Sequence, residues 1–212
     1  MKYSAFFAIT ASLLAFAAFD QGGTSVILLW PAVSFLIISI GYAGVGPGVM
    51  GKRSDGTIAA WARLVHGPSF GYFLLVSGLT RRVLQRQPFN KLDDDLYLGR
   101  RLTSRELPSG IENIVDLTAE FQEPSILRKH IGYRSLPILD GACPDATMLR
   151  QFIRDLRSGA TFVHCALGHG RTGLFALAYL AERGRIRTVA EGLALLQRAR
   201  PGIALNRGQF AL

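Results

Sequence analysis

Two stretches of this chain carry no charge at all. Residues 3–19 (YSAFFAITASLLAFAAF) and 24–51 hold no Asp, Glu, Lys or Arg, and nothing charged stands between Asp20 and Lys52. Neither run has the polar face that a helix on the surface of a soluble domain shows. Each comes close to the ~20 apolar residues that cross the hydrocarbon of a bilayer. The chain is therefore expected to open with an α-helical membrane hairpin, with spans at about 3–20 and 25–46 joined by the turn Asp20-Gln21-Gly22-Gly23. Pro31 is expected to kink the second span, which membrane helices tolerate. Lys2 ahead of an apolar run also fits the start of a secretory signal. However, no small-x-small cleavage site leads into polar sequence, and a longer apolar run follows within a few residues.

Basic residues set the expected orientation. Lys2 precedes the first span, Lys52 and Arg53 follow the second, and the turn between them has neither Lys nor Arg. The bias of Lys and Arg toward the cytoplasmic side puts both ends of the hairpin there. The expected location is a membrane of the bacterial inner type, with the rest of the chain in the cytoplasm. A third apolar stretch, residues 58–79, contains Arg63, His66 and Pro68 and is followed by Arg81, Arg82 and Arg86. It is read as interfacial or re-entrant, with the arginines near anionic headgroups; as a third span it would carry everything after it to the other side. The 212 residues thus divide into a membrane-anchoring region, 1–87, and a domain, 88–212, in which charged and apolar residues interleave.

The net charge of +9 suits a membrane surface or an anionic substrate. No basic-aromatic stripe or recognition-helix pattern points to nucleic acid. Two cysteines, Cys143 and Cys165, are too few for a disulfide framework and fit a compartment where a thiol stays free.

The second half alternates strand and helix signals. Short β-type runs occur at 96–99, 113–117, 133–138 and 161–165. Residues 145–157 read as a helix with Leu149, Phe152, Ile153 and Leu156 on one face, 172–183 as another that stops at Gly184, and Thr188 with Glu191 as a capping box that opens a third. This pattern predicts an α/β layer fold, a mainly parallel sheet flanked by helices.

Residues 163–173 (VHCALGHGRTG) join the last strand to the helix that follows. Gly168, Gly170 and Gly173 match the G-x-G-x-x-G of a dinucleotide turn. That reading needs a second strand ending in an acidic residue about 20 positions on, and a capped helix stands there instead. The other reading is a thiolate in a phosphate cradle. A strand ending at Cys165 delivers sulfur to the head of a helix, and the backbone N–H groups of Ala166, Leu167, Gly168, His169, Gly170 and Arg171 converge into an anion nest. Arg171 adds a planar fork matched to phosphate oxygens, and the same positive end favours ionised sulfur.

The loop, with His164-Cys165, five residues, Arg171 and Thr172, resembles the active-site loop of the protein-tyrosine phosphatase superfamily, especially its dual-specificity branch. The likeness covers residues 90–212: 96–99 (LYLG) is similar to the first strand of those domains, 137–144 (PILDGACP) to their general-acid loop, and Arg200-Pro201-Gly202 with Gln209 to their C-terminal segment. The resemblance implies that Cys165 attacks phosphorus to form a cysteinyl-phosphate and that Arg171 and the loop amides hold the phosphoryl oxygens. Asp140 is implied as general acid and then base. His164 orients the loop through hydrogen bonds, Thr172 donates to the sulfur, and Gln209 positions the hydrolytic water. No metal or cofactor is implied.

Several of these residues also have plainer readings. Asp140 ahead of Gly141 suits a turn, and Asp145, a rival acid, suits a helix cap after Pro144. His169 reads as a solvent-facing loop residue. Cys143 reads as a loop thiol or an oxidation guard for Cys165, and 93–95 (DDD) as a solvated turn rather than a metal site. The expected function is a membrane-anchored phosphatase for phosphotyrosine or phosphoserine/threonine proteins, since Ala166 and Leu167 leave the cradle apolar. A phospholipid phosphatase acting on phosphatidylglycerophosphate or a related headgroup is the alternative, and a silent phosphate-binding membrane adaptor is the alternative outside enzymes.

Overall fold

In the computed structural model, which describes residues 2–84, 87–103, 105–206 and 208–209, the first charge-free run is a single helix, α1 (Lys2–Gln21). The chain reverses on Gly22 and Gly23, whose φ angles of +59° and +55° lie in the left-handed region that glycine enters freely. The turn is thus tighter than the four residues expected. The second run is not one regular helix. A 3₁₀ turn (Gly23–Leu28) leads into α2 (Leu29–Ile40), followed by a π turn (Gly41–Val45) and a second 3₁₀ turn (Pro47–Met50). Glycines at 41, 44 and 46 supply little helix propensity, and Gly44 departs from helical angles altogether at φ +136°.

The apolar residues of these helices stay largely outside. Phe6, Ile9, Leu13, Phe16 and Phe19 line the outer face of α1, and Trp30, Val33, Leu36 and Ile40 that of α2. Lys2–Gln21 and Gly23–Val45 are each long and apolar enough, by length and composition, to cross a membrane.

The third apolar stretch forms α3 (Ala60–Val65) and α4 (Gly67–Leu84). The Trp30 indole donates to the Leu64 carbonyl at 2.9 Å, and Gly67 lies against the same ring. The buried Ser34 hydroxyl bonds Ser69 at 2.6 Å and the His66 Nδ1 at 3.0 Å. Before α3, Lys52 reaches Asp116; at the end of α4, Arg81 reaches the Ala166 carbonyl. The segment therefore rises beside α2 and returns to the side it left. Arg82 is exposed, and Arg86 lies outside the described residues.

The second half folds on a five-stranded sheet: β1 (Phe89–Lys91), β2 (Leu96–Arg100), β3 (Asn113–Thr118), β4 (Tyr133–Ile138) and β5 (Thr161–Cys165). The order is β1-β2-β5-β3-β4, parallel throughout except for β1. β1 carries no sequence signal, because three residues are too few to show a period. The strand β5 lies between β2 and β3, is buried along its whole length, and ends at Cys165. Around the sheet pack α5 (Ser125–Arg128), α6 (Ala146–Arg154), α7 (Gly170–Glu182) and α8 (Val189–Ala199). The Asp145 carboxylate caps α6 by accepting from Met148 N at 2.8 Å, and Thr188 caps α8 by accepting from Glu191 N at 3.2 Å. The helix α6 ends three residues short of the expected 157, and α7 starts two residues before the expected 172.

The two halves share a core. Phe7, Ile38 and Met50 pack with Ala119 and Leu139 in one buried cluster. Lys52, counted above as a charge flanking a span, instead enters the α/β half fully buried. Its ammonium bonds the Asp116 carboxylate, the Thr118 hydroxyl at 2.8 Å and the Phe121 carbonyl at 2.6 Å. Removing one partner of such a pair leaves a buried charge unopposed, at a cost of about 3–5 kcal/mol. Lys52→Met in the full chain should therefore lower the thermal midpoint strongly, and adding Asp116→Asn should recover part of the loss. An unchanged midpoint for Lys52→Met would show that the contact carries no weight.

Candidate active site

The turn after β5 is built by donors behind it. The Arg101 amide takes the Cys165 carbonyl at 2.7 Å, Arg81 Nη2 the Ala166 carbonyl at 3.4 Å, Arg200 Nη2 the Leu167 carbonyl at 3.3 Å and Arg200 Nε the Gly168 carbonyl at 2.8 Å. With four successive carbonyls drawn outward, the amides between them turn inward, and Gly168 N donates to Cys165 Sγ at 3.3 Å. Gly168 sits at φ +75°, where a Cβ would lie 2.5 Å from the Gly99 carbonyl group. Only glycine fits there. The helix α7 starts at Gly170, so its unpaired N–H groups close the same ring.

Arg171 is almost fully buried at the head of α7. Its Nη1 and Nη2 donate to the two oxygens of Glu120 at 2.8 and 2.6 Å, and Nη1 also reaches the Ile138 carbonyl at 2.9 Å. The fork is thereby fixed before any ligand arrives. Burial opposes both charges, yet each partner holds the other ionised: Glu120 lies below its ordinary carboxylate range and Arg171 well above its ordinary value. The edge of the guanidinium that carries Nε faces Asp140, whose Oδ1 is 3.2 Å away.

Asp140 stands at the rim with its side chain 70% exposed. Its loop is held from two directions. The Tyr42 hydroxyl donates to the Asp140 carbonyl at 2.9 Å, and the Tyr3 ring lies against Gly141. From the C-terminal segment, Asn206 Nδ2 donates to the Gly141 carbonyl at 2.8 Å and Gln209 Nε2 reaches the Ala142 carbonyl at 3.4 Å. Gln209 is buried and lines the same cavity as Cys165.

Two expected contacts are not made. Thr172 Oγ1 donates to the Gly99 carbonyl at 3.3 Å rather than to the sulfur, because the first turn of α7 packs that hydroxyl on β2. His164 was expected to orient the loop through hydrogen bonds. Neither ring nitrogen makes one, its contact to the Cys165 backbone falling short of hydrogen-bond geometry, and the ring stacks on Phe162 at 5.3 Å. Burial pushes His164 down to about 4, so the ring is neutral at physiological pH.

Behind His164 lies a buried charged cluster. Asp116, Glu123 and His164 bring ligand-type atoms within 4.8 Å of one another. Lys52 and Arg101 already supply cations there, Arg101 Nε at 2.6 Å from Glu123. Burial, reinforced by Asp116, pushes Glu123 up to about 7, while Lys52 keeps Asp116 well below its ordinary range despite burial. The donor set fits internal charge balance better than an ion site.

The partners of Asp145 and of residues 93–95 decide their readings. Asp145 is a cap. The three aspartates at 93–95 pair with Arg185 and Lys91. Cys143 is exposed, and both cysteines are free thiols. Glu120, Arg200 and Tyr42 were not anticipated. Only Arg200 left a trace, in the Arg-Pro-Gly matched to a C-terminal segment but given no task.

A mainly parallel sheet whose central strand ends in a thiol, facing an amide ring and a buried arginine, defines a cysteine-phosphatase fold. Comparison with known proteins narrows the class. The chain belongs to the family described as PTP-SAK, a Swiss Army Knife protein, DSP-PTPase phosphatase domain, whose model matches residues 99–209. Tyrosine-protein phosphatase cdcA of Emericella nidulans is 32% identical over 117 residues, which are 48% of this chain and 20% of that protein. Dual specificity protein phosphatase CDC14AB of Danio rerio is 37% identical over 76 residues, 35% of this chain and 12% of that protein. The chain spans about a fifth or less of the length of these relatives. The fold is shared with Tk-PTP in its active form (TM-score 0.52, 22% identity, 58% of this chain and 92% of that one). It is also shared with PTPMT1 in complex with PI(5)P (TM-score 0.51, 16% identity, 59% and 91%).

Arg200 acts from behind the loop, where it sets the direction of the Leu167 and Gly168 carbonyls. Losing one preorganised oxyanion donor typically costs about 10²–10³ in kcat. Arg200→Met should lower kcat on p-nitrophenyl phosphate by at least about tenfold and weaken vanadate inhibition in parallel. Full activity in this variant would mean that the loop holds its shape without the clamp.

Proposed function

We propose that this protein is a membrane-anchored phosphatase that hydrolyses phosphomonoesters through a cysteinyl-phosphate on Cys165. The observation that carries the reading is the outward capture of the carbonyls of Cys165, Ala166, Leu167 and Gly168, which leaves an amide ring about the sulfur. In the first step a sulfur lone pair attacks phosphorus, the bond from phosphorus to the ester oxygen breaks, and that oxygen takes a proton from Asp140. Arg171, locked by Glu120, and the amides of Ala166, Leu167, Gly168, His169, Gly170 and Arg171 hold the three remaining oxygens while charge builds on them. In the second step water, positioned by Gln209, attacks phosphorus and gives a proton to the Asp140 carboxylate, and the sulfur leaves. The products are the free alcohol or phenol and inorganic phosphate. Thr172 and His164 act as positioning residues, through Gly99 and through packing on Phe162.

The outward-facing apolar helices support the anchor. Both ends of the α1–α2 hairpin meet the catalytic half, so the basic flanks that remain at the surface, Lys2 and Arg53, and the phosphatase domain lie on one side, the cytoplasmic side of a bacterial-type inner membrane. Phosphoproteins bearing phosphotyrosine or phosphoserine/threonine, and phospholipid headgroups such as phosphatidylglycerophosphate, present the same monoester to this chemistry. The buried Arg171–Glu120 pair and the free thiol beneath it weigh against a silent phosphate-binding adaptor.

The test uses the full chain in detergent micelles, because segment 1–87 supplies part of the core. Cys165→Ser should abolish hydrolysis of p-nitrophenyl phosphate. Asp140→Asn should lower kcat by about 10²–10⁴ on an alkyl phosphate and by much less on p-nitrophenyl phosphate, whose leaving group needs little help from a proton. Equal rates for Cys165→Ser and the unaltered protein would remove the enzyme reading.

A further inference from the structure

The floor of the site is phosphate chemistry, but its walls come from the N-terminal helices. A cavity of about 710 Å³ rises from Cys165 and Arg171, and its sides are formed by Phe6 and Phe7 of α1, Tyr42 in the π turn after α2, Met50, and Phe73 and Val76 of α4. That volume lies within the ~300–1,000 Å³ of pockets that enclose whole organic ligands. Phe7 and Phe73, which both line the cavity, meet edge to face between α1 and α4 with ring centroids 6.4 Å apart. Phe6 and Val76, which line the same cavity, are 54% and 42% exposed and belong to the outward apolar surface of those helices. The cavity is therefore continuous with that surface through the α1–α4 gap. Lys2 stands at its edge, with its ammonium 5.0 Å from the Tyr3 ring centroid.

From this continuity we infer that the α1–α4 gap is an acyl-chain-binding site, and that the substrate is a membrane lipid ending in a phosphomonoester. The inference rests on the phosphatase reading and adds the substrate class to it. The phosphate sits over Cys165, the headgroup occupies the aromatic chamber, and the chain leaves between Phe6 and Val76 toward the hydrocarbon, with Lys2 near the headgroup anion. A phosphopeptide backbone needs polar partners on both sides of the phosphorylated residue. On the helix side the chamber offers it mainly aromatic rings and aliphatic side chains: the Tyr42 and Ser77 hydroxyls there already donate to the Asp140 and Leu74 carbonyls, which leaves Lys2 and the hydroxyls of Tyr3 and Tyr72 as the polar groups on that side. Those walls match methylenes, each of which gains from leaving water.

The experiment measures binding and turnover separately, on the full chain in micelles. The binding probes are ethyl-, butyl- and hexylphosphonate, which cannot be hydrolysed. Affinity should tighten about fourfold per methylene up to the length that fills the gap. Val76→Trp, which narrows the exit, should flatten that dependence; Phe6→Trp on the facing helix provides the same test if the first variant does not fold. Comparing chain lengths across proteins in the same micelles cancels partitioning of the probes. Chain-length-independent affinity, equal slopes in the variants, or a phosphotyrosine peptide that binds more tightly than hexylphosphonate would each overturn the acyl site, even with Cys165-dependent turnover of p-nitrophenyl phosphate intact. A chain-length slope that Val76→Trp flattens, without Cys165-dependent turnover, would support the site and remove the phosphatase reading instead.

Discussion

A loop can turn its amides toward an anion only if its carbonyls find donors on the other side, since buried backbone groups left unpaired are costly. Here four carbonyls in a row find them, and the donors come from distant parts of the chain: Arg81 from the helical region, Arg101 after β2, and Arg200 at the end of α8. The geometry around Cys165 is thus a property of the whole fold, not of eleven residues. The same logic fixes Arg171, whose fork would otherwise be free to turn, through the carboxylate of Glu120. Both devices leave little to reorganise when charge develops on a phosphoryl group, which is where preorganised donors gain most.

The helical region and the α/β half form one structural unit. Lys52 neutralises Asp116 beneath the loop, Tyr42 and Tyr3 hold the loop of Asp140, and Phe7, Ile38 and Met50 share a core with Leu139. An anchor tied on by a flexible linker would leave none of these contacts. On the proposed anchoring, the segment that would fix the protein to a membrane also shapes one side of the site, so the position of the site relative to that surface is built in.

The sequence made strands at 96–99, 113–117, 133–138 and 161–165 legible because short runs holding apolar residues alternate there with helical patterns and turn residues. It made the loop legible because glycines, a thiol and an arginine at that spacing serve few other purposes. The caps at Asp145 and Thr188 were equally plain. The three-residue β1 and the broken second span were not, because short elements and glycine-rich turns take their form from what packs on them. Lys52 shows the limit most clearly: a lysine at the end of an apolar run reads the same whether it faces lipid headgroups or an aspartate 64 positions away. Thr172 and His164 were assigned partners by resemblance; Thr172 instead meets Gly99 on β2, a placement no local pattern specifies, and His164 stacks on Phe162, two residues earlier on its own strand.

The claim on which all this turns is that the sulfur of Cys165 is the atom that receives phosphorus. Acid-quenching the full chain during turnover and mapping phosphate on its peptides by mass spectrometry tests this directly. The account predicts an acid-stable phosphate on the peptide that contains Cys165 and none on the peptide that contains Cys143. Phosphate on Cys143, or turnover with no phosphorylated cysteine at quench times shorter than one catalytic cycle, would contradict it.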